Sequence, residues 1–414
     1  MQDPEISLTV ADTHTAIDEL LLIVATAFIL LMQVGFALVE NGTVRAKNSK
    51  NILIKNLFDL TAGAIIFWLV GFGVAFGHSG EGDSFIGSDK RLFASSGFAS
   101  APDNYYVLWI FQFSFAATSA TIVSGSLAER TQLPAYMLFS VLMTGFIYPV
   151  VVGWCWGGGW LGDTGANAMG FHDFAGTGIV HMVGGVAGFV GAAVIGPRHG
   201  KEKNPDDRRQ VSREKDFKPL CASQADPTKF EEWLLEQAYD FDFHMSSYPF
   251  VVCGTVFLFV SWLFFNGAST ASMFQPRANN APKIMMVTIL AGCSGGLMAA
   301  FLKPHVMGTY SRSFRYDVSA LTNGMLAGLV AITGVCDRCE PWAAFVIGLL
   351  AGVIFSLACK LEAVLGVDDP IEASQVHGVC GMWGLIAVGI FDSDYGLVSS
   401  HPDKAKYFGV QLLG

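Results

Sequence analysis

Two short segments of the chain each place an aspartate eight residues before a histidine, in otherwise apolar surroundings. Residues 173–185 read DFAGTGIVHMVGG and residues 369–381 read DPIEASQVHGVCG, so both fit the pattern D-x6-V-H-x-V-x-G. Of the nine histidines in the chain, only His181 and His377 lie well inside apolar segments. An ionisable residue within a membrane span predicts a functional site, because its burial there is costly. Paired imidazoles could hydrogen-bond a small polar molecule or pass a proton.

The apolar segments around these histidines are typical of a membrane protein. The chain of 414 residues is 52% hydrophobic and 14% charged, whereas a soluble domain carries about 25% charged residues. A helix needs about 20 apolar residues to cross a hydrocarbon core of about 30 Å. The sequence therefore predicts an all-α integral membrane protein with ten spans, near residues 17–40, 52–78, 107–128, 133–160, 174–197, 248–267, 283–302, 319–334, 341–359 and 374–392.

Charged residues are expected in the loops between these spans. The residues before the first span include no lysine or arginine, so that span is predicted to be retained and not a cleaved signal. With the N-terminus outside, most of the 25 basic residues, Lys55 among them, fall in loops on the opposite side, which predicts that this side is cytoplasmic. Residues 198–247 would then form a cytoplasmic loop with a short amphipathic helix at 230–241, and residues 407–414 would begin an eleventh helix.

The two aspartate–histidine segments open the fifth and the tenth predicted spans. Because five is an odd number, two halves of five spans would cross the membrane in opposite orientations, as inverted repeats do in many transporters. We therefore predict a first repeat at 1–197 and a second at 248–393 within one membrane domain. Eight helical residues carry each histidine about 12 Å inward from opposite faces. Both histidines are thus expected near the midplane, as neighbours.

Each of these four residues also has a structural interpretation. Asp173 could cap the helix that it opens, act electrostatically on a cation, or do both. Asp369 lies in the turn DDP and is predicted to be structural. His181 and His377 could bridge neighbouring helices by hydrogen bonds, although their predicted proximity favours a function.

Two groups of side chains are predicted to share helix faces. Phe111 and Phe115 are four residues apart in the third span. The sixth span ends in SWLFFNGAST, in which one face carries Trp262, Phe265, Asn266 and Ser269. Aromatic rings beside an amide and a hydroxyl could receive a cation, or the face could pack against other helices.

Other motifs do not indicate a cofactor, a metal site or an enzyme. Cys336 and Cys339 form the only close cysteine pair, and a zinc site would need a second pair, so a loop disulfide or two free thiols are predicted. The glycines of CWGGGW, residues 155–160, follow no strand and match no phosphate-binding loop, which favours close helix packing or a loop. We expect no catalytic residues, no metal, no cofactor and no nucleic-acid partner.

The chain resembles the ammonium transporters of the Amt/Mep/Rh superfamily along nearly its whole length. The resemblance rests on the segments VENGTVRAKNSKNI, FQFSFA, SGSLAERTQLPAY, WGGGW, DFAGTGIVHMVGGVAGFVGAAVIGPR, SWLFFN, NGMLAGLVAIT and LGVDDPIEASQVHGVCGMWGLI. Residues 42–48 and 340–344, GTVRAKN and EPWAA, look more like the plant-type Amt branch than the Rh branch. The resemblance implies eleven helices, a homotrimer in the plasma membrane with one pore in each subunit, and a cytoplasmic regulator left unidentified.

Carried over residue by residue, the resemblance implies an outer ammonium site and a gate. The outer site would be formed by Trp156, Ser269 and Phe115, with Phe111 beside them. Phe115 and Phe265 would be the stacked phenyl gate.

The resemblance also implies roles for residues deeper in the pore. His181 and His377 would be the twin histidines that line the pore and relay protons. Asp173 would be the carboxylate needed for transport and would contribute to substrate binding. Trp262 and Asn266 would be structural framework positions.

The chemistry of ammonium suggests how such a pore would work. Moving a bare cation into an apolar medium costs tens of kcal/mol, whereas a desolvated cation–π contact returns only about 2 kcal/mol. Ammonium, unlike potassium, can give up a proton and cross as ammonia. We expect recruitment at the aromatic site, deprotonation near Asp173, and conduction of ammonia past His181 and His377 with a proton relay.

Other functions remain open from the sequence. An Rh-like passive channel for ammonia or carbon dioxide and an ammonium sensor with little flux are the alternatives within this resemblance. A haem held by His181 and His377 is disfavoured, because haem-carrying bundles usually place paired histidines on the same helices.

Overall fold

The architecture is known from a computed structural model, which describes residues 9–78, 85–100, 104–162, 168–199, 201, 243–273, 280–308 and 317–414. Within these ranges the chain is helical and contains no strand. The helices, numbered in chain order, are α1 Val10–Thr43, α2 Ala46–Phe76, α3 Tyr105–Ser126, α4 Leu133–Cys155, α5 Thr177–Ile195, α6 Tyr248–Thr270, α7 Ala281–Met307, α8 Val318–Ile332, α9 Pro341–Leu365, α10 Ser374–Phe391 and α11 Lys404–Leu413.

The predicted all-α membrane architecture is confirmed. Nine helices in the described ranges are long and apolar enough to cross a membrane, and the shorter apolar helix α8 covers the remaining predicted span. The helix expected at the end of the chain is α11, which begins at Lys404. The amphipathic helix predicted at 230–241 lies outside the described residues.

Three sets of helix contacts organise the bundle. Helix α1 packs along α6 and crosses α3, and α7 packs against both α8 and α9. Helices α5 and α10, which carry the two histidines, contact each other near their first turns. Glycine permits this approach, because a Cβ atom on Gly185 of α5 would lie 2.0 Å from the backbone nitrogen of Gly378 in α10.

The first turns of α5 and α10 are π-helical and not α-helical, which the sequence did not predict. These turns cover Thr177–Met182 and Ser374–Val379. A residue in the left-handed region comes before each turn: Gly176, at φ 96°, directly before the first, and Glu372, at φ 62°, two residues before the second. Such a φ is strained for glutamate, and Lys303 holds its carboxylate at 2.6 Å. π-Helical turns occur frequently at functional sites.

The expectation that charged residues lie in loops is wrong. Glu40 of α1 and Lys55 and Asp59 of α2 are fully buried within helices. Lys55, which was expected in a loop, has its Nζ 4.9 Å above the ring of Tyr136. Charges can be buried in this way when partners surround them, and the sequence does not show those partners.

Two motifs that the sequence left open are packing features. Cys336 and Cys339 are buried free thiols, so the disulfide alternative is wrong. The glycine-rich turn after α4 packs against α2, since a Cβ atom on Gly157 would lie 1.9 Å from the carbonyl oxygen of Ala75. Neither motif adds a ligand to the bundle.

Candidate functional site

The two histidines meet inside the bundle. His181 and His377 are buried, and their Nδ1 atoms lie 3.2 Å apart. Their rings are nearly parallel, with centroids 5.2 Å apart and 24° between the planes. A hydrogen bond between two neutral rings at Nδ1 requires one ring to carry its proton on Nδ1 and the other on Nε2. The pair can therefore exchange a proton by switching tautomers.

Aromatic side chains fix the orientation of this histidine pair. The ring of His181 stacks on Trp262 of α6, with 4.7 Å between the ring centroids, and its centroid lies 5.5 Å from that of Phe265. The ring centroid of His377 lies 6.1 Å from that of Phe36 of α1. The Nε2 atom of His181 is buried without a hydrogen-bond partner. This nitrogen is therefore available to a small polar molecule that reaches the pair.

A pair of phenyl rings lies directly beside His181. The ring centroids of Phe115 and Phe265 are 4.2 Å apart, and both side chains are buried. Phe111, one turn earlier in α3, packs edge-on against Phe115 at 5.0 Å. Phe265 contacts His181 and Phe115 contacts Trp156, so the phenyl pair lies between the histidine and the tryptophan.

The remaining residues of the predicted outer site lie beyond this phenyl pair. Trp156, at the end of α4, lies edge-on to Phe115 at 6.0 Å. Ser269 lies one turn beyond Phe265 and donates a hydrogen bond to the carbonyl oxygen of Phe265 at 2.7 Å. A cavity of about 150 Å³ adjoins Trp156, and its walls are formed by Cys155, Trp156, Phe171, His172, Asp173 and Phe174.

Asp173 caps the first turn of α5 with both carboxylate oxygens. Oδ1 accepts the backbone N–H groups of Gly176 and Thr177 at 3.0 and 2.8 Å. Oδ2 accepts those of Gly178 and Ile179 at 2.8 and 3.0 Å. Burial raises the pKa of this carboxyl, and the four hydrogen bonds oppose the rise. Since both oxygens are occupied, Asp173 can act on a cation through space without binding it directly.

Asp173 also orients the tryptophan of the outer site. The Nε1 atom of Trp156 donates to the backbone carbonyl oxygen of Asp173 at 2.8 Å. The residue that caps α5 therefore holds the wall of the cavity as well.

The residues predicted to be structural have framework contacts. Asp369 accepts the backbone N–H groups of Ile371 and Ser374 at 3.2 and 2.8 Å, so it caps the turn before α10. Trp262 donates to Thr333 Oγ1 at 2.9 Å, and Asn266 donates to Thr288 Oγ1 at 3.0 Å. These last two bonds link α6 to its neighbours.

Comparison with known proteins decides the family. Residues 20–216 and 235–414 match the model of the Ammonium Transporter Family. The chain belongs to this family. The structural resemblance agrees, because a solved structure titled "Sensor Amt Protein" is 30% identical with a TM-score of 0.79, over 97% of this chain and 89% of that one.

Named relatives of this ammonium transporter family member come from archaea and plants. Ammonium transporter Amt2 of Archaeoglobus fulgidus is 35% identical over 382 residues, which cover 90% of this chain and 71% of that protein. Ammonium transporter 1 member 2 of Arabidopsis thaliana is 36% identical over 365 residues, which cover 84% of this chain and 63% of that protein. The resemblance to the ammonium transporters, plant members among them, is confirmed.

A buried ion-pair network, which the sequence did not predict, holds the ends of the two histidine helices. Arg198, just after α5, pairs with Glu129 at 2.6 Å and with Asp368 at 2.8 Å. Arg45 pairs with the same Glu129 at 2.9 Å. Burial alone would raise the pKa of Glu129, but the hydrogen bonds from both arginines lower it to about 2. The network ties the end of α5 to the segment that leads into α10.

Sequence reasoning also missed two residues of α1, one of which lies beside His377. Phe36 and Glu40 are four residues apart in α1, and Phe36 contacts the ring of His377. The signal was present, because the rule that an ionisable residue within a span predicts a functional site applies equally to Glu40.

Proposed function

We propose that this chain carries ammonium across the plasma membrane through a pore in each subunit of a homotrimer, with its N-terminus outside. The observation that carries the proposal is the contact between His181 and His377 at Nδ1, 3.2 Å apart and buried. Such a pair offers hydrogen bonds to a neutral molecule and a route for its proton. It offers little to a cation that cannot lose a proton.

Recruitment takes place at the aromatic site outside the phenyl pair. Trp156 lines the cavity and Phe115 packs edge-on against its ring, and the carboxylate of Asp173 supplies negative charge. A cation over an aromatic face gains about 2 kcal/mol when it is desolvated. That gain concentrates ammonium at the entrance, but it is far smaller than the tens of kcal/mol that a bare cation needs to enter an apolar pore.

Deprotonation resolves this energetic mismatch. Ammonium breaks one N–H bond beside Asp173 and gives the proton to water in the adjoining cavity, and ammonia passes the ring contact of Phe115 and Phe265. The unpartnered Nε2 of His181 then hydrogen-bonds the ammonia. The proton follows separately: it binds Nε2 of His181, the Nδ1 proton of His181 moves to Nδ1 of His377, and the Nε2 proton of His377 then leaves. Potassium is excluded because it has no proton to give up.

A sensor with little flux is the second candidate, since the chain resembles a solved structure titled "Sensor Amt Protein" at a TM-score of 0.79. An Rh-like passive channel for ammonia or carbon dioxide is the third. The three functions differ in whether charge moves and whether ammonia moves.

Solid-supported-membrane electrophysiology on proteoliposomes of the purified protein tests the proposal. An ammonium pulse is expected to evoke a transient current, and an equal potassium pulse is expected to evoke none. Ammonia flux without current would select the passive channel. Saturable ammonium binding with neither current nor flux would select the sensor.

A further inference from the structure

A cluster of polar side chains is buried between α1, α2, α3 and α4, and Glu40 is its member on α1. Glu40 Oε2 accepts hydrogen bonds from Asn56 Nδ2 at 2.9 Å and from Ser124 Oγ at 3.0 Å. Its Oε1 has no partner, and no other buried carboxylate oxygen in the described parts of the chain lacks one. One face of this carboxyl is therefore fixed and the other is free to exchange a proton.

The charges of the cluster indicate which carboxyl is neutral. Asp59 accepts strong hydrogen bonds from Tyr136 at 2.5 Å and Ser140 at 2.6 Å, as an ionised carboxylate does. Lys55 lies beside Asp59, because its Nζ is 4.9 Å from the ring centroid of Tyr136, which donates to Asp59. A single buried lysine balances a single carboxylate. Since Asp59 has the better donors, Glu40 is the group that carries a proton, on Oε1.

Glu40 lies on the path from the histidine pair to the end of α1. Phe36, which contacts His377, is one helical turn before Glu40 on the same face. A Cβ atom on Gly125 would lie 1.8 Å from Ile371 Cδ1 and 3.6 Å from Glu40 Oε1, so the free oxygen lies beside the segment that leads into α10. Glu40 thus lies about 5.4 Å further along α1 than Phe36, and water molecules would carry the proton between the imidazole and the carboxyl.

The other buried carboxylates at this end of the bundle are occupied. Glu362 accepts hydrogen bonds on both oxygens, from Ser374 and from Gln375. Glu372 and Asp368 are held in ion pairs. Glu40 is thus the one of these buried carboxyls that can gain and lose a proton without breaking a protein contact.

We propose that Glu40 is the group that passes protons from the histidine pair to the cytoplasm. In each cycle its O–H bond breaks and the proton goes to water on the cytoplasmic side. The carboxylate then takes a proton from the imidazolium at His377: an N–H bond breaks, an O–H bond forms, and both groups return to their neutral forms. This inference rests on the proposed proton relay and on the proposed orientation of the chain.

Infrared difference spectroscopy of the membrane-reconstituted protein tests it without relying on transport. The wild type is expected to show the carbonyl band of a protonated carboxylic acid, and ammonium should change that band. Glu40→Gln should remove the band and its response. Glu362→Gln is the matched control, a buried carboxyl with both oxygens bonded, and should leave both intact. An unchanged band in Glu40→Gln would overturn the proposal.

Electrophysiology provides the second arm. Glu40→Gln should lower the ammonium-evoked current by about 100-fold, the low end of what one acid–base group contributes, and Glu40→Asp should recover part of it. A full current in Glu40→Gln would overturn the role of Glu40 alone. The absence of current in the wild type would instead overturn the proposed transport function, so the two failures are distinguishable.

Discussion

The carboxylate of Asp173 offers the sharpest test of how the site is built. Asp173→Asn keeps the size of the side chain but replaces one oxygen by an NH₂ group. If Oδ1 still accepts from Gly176 and Thr177, the new amide faces the N–H groups of Gly178 and Ile179, which lose their acceptor. Each hydrogen bond to a charged group contributes about 1.5–3 kcal/mol. Losing two of them should lower the free energy of unfolding by about 3–6 kcal/mol.

Unfolding of the purified protein in detergent by heat or denaturant measures this loss. Asp369→Asn is the matched control, because two of its partners are hydroxyls, of Ser126 and Ser374, which can rotate to accept from the new amide. The free energy of unfolding should fall clearly less in Asp369→Asn than in Asp173→Asn. An Asp173→Asn protein within about 1 kcal/mol of the wild type would refute the capping argument. If that stable protein also lost its ammonium current, the role of Asp173 would be electrostatic.

Two further predictions concern packing and pH. Gly185→Ala should destabilise the protein by about 1–3 kcal/mol and weaken the ammonium current, because its Cβ would meet the backbone of Gly378 at 2.0 Å. Gly409→Ala, with open space around it, is the control and should be neutral or up to about 1 kcal/mol stabilising in the same unfolding assay. Equal effects of the two substitutions would contradict the packing argument. Glu129 has its pKa lowered from 4.5 to about 2, so its stabilising effect should be complete above about pH 4.5 and lost as the pH falls towards 2. Glu129→Gln should flatten this part of the acid-unfolding curve, and an unchanged curve would show that the pairing with Arg198 does not stabilise the fold.

The sequence predicted the spans well because their signal is local. A run of about 20 apolar residues is sufficient to identify a membrane helix, and helices such as α6 and α9 lie where the runs do. The π-helical first turns of α5 and α10 have no comparable local signal. They depend on how the backbone after Asp173 and Asp369 is held by tertiary contacts.

The site was predictable where it repeats and unpredictable where it joins distant segments. The repetition of the DFAGTGIVH pattern at DPIEASQVH was enough to predict that His181 and His377 lie near each other. Whether Asp173 caps a helix could not be decided without the backbone N–H groups around it. The pairing of Arg198 with Glu129 and Asp368 joins residues 69 and 170 positions apart, which no spacing rule connects.

Buried charges were the main error, and their cause is physical. Lys55 and Asp59 look like loop residues because an unpaired charge in a membrane is very costly. Their burial becomes acceptable only with the partners that α3 and α4 supply, among them Tyr136. Those partners are far away in the sequence, so composition alone favours the wrong location.

The central claim is that ammonium crosses as ammonia with its proton passed between two histidines, and the double variant His181→Ala/His377→Ala tests it most directly. The variant and the wild type would be reconstituted into liposomes, with size-exclusion chromatography to confirm folding, and exposed to equal pulses of ammonium and potassium. We predict that the ammonium-evoked current disappears or that potassium also evokes a current. An unaltered ammonium current together with unaltered exclusion of potassium would contradict the account.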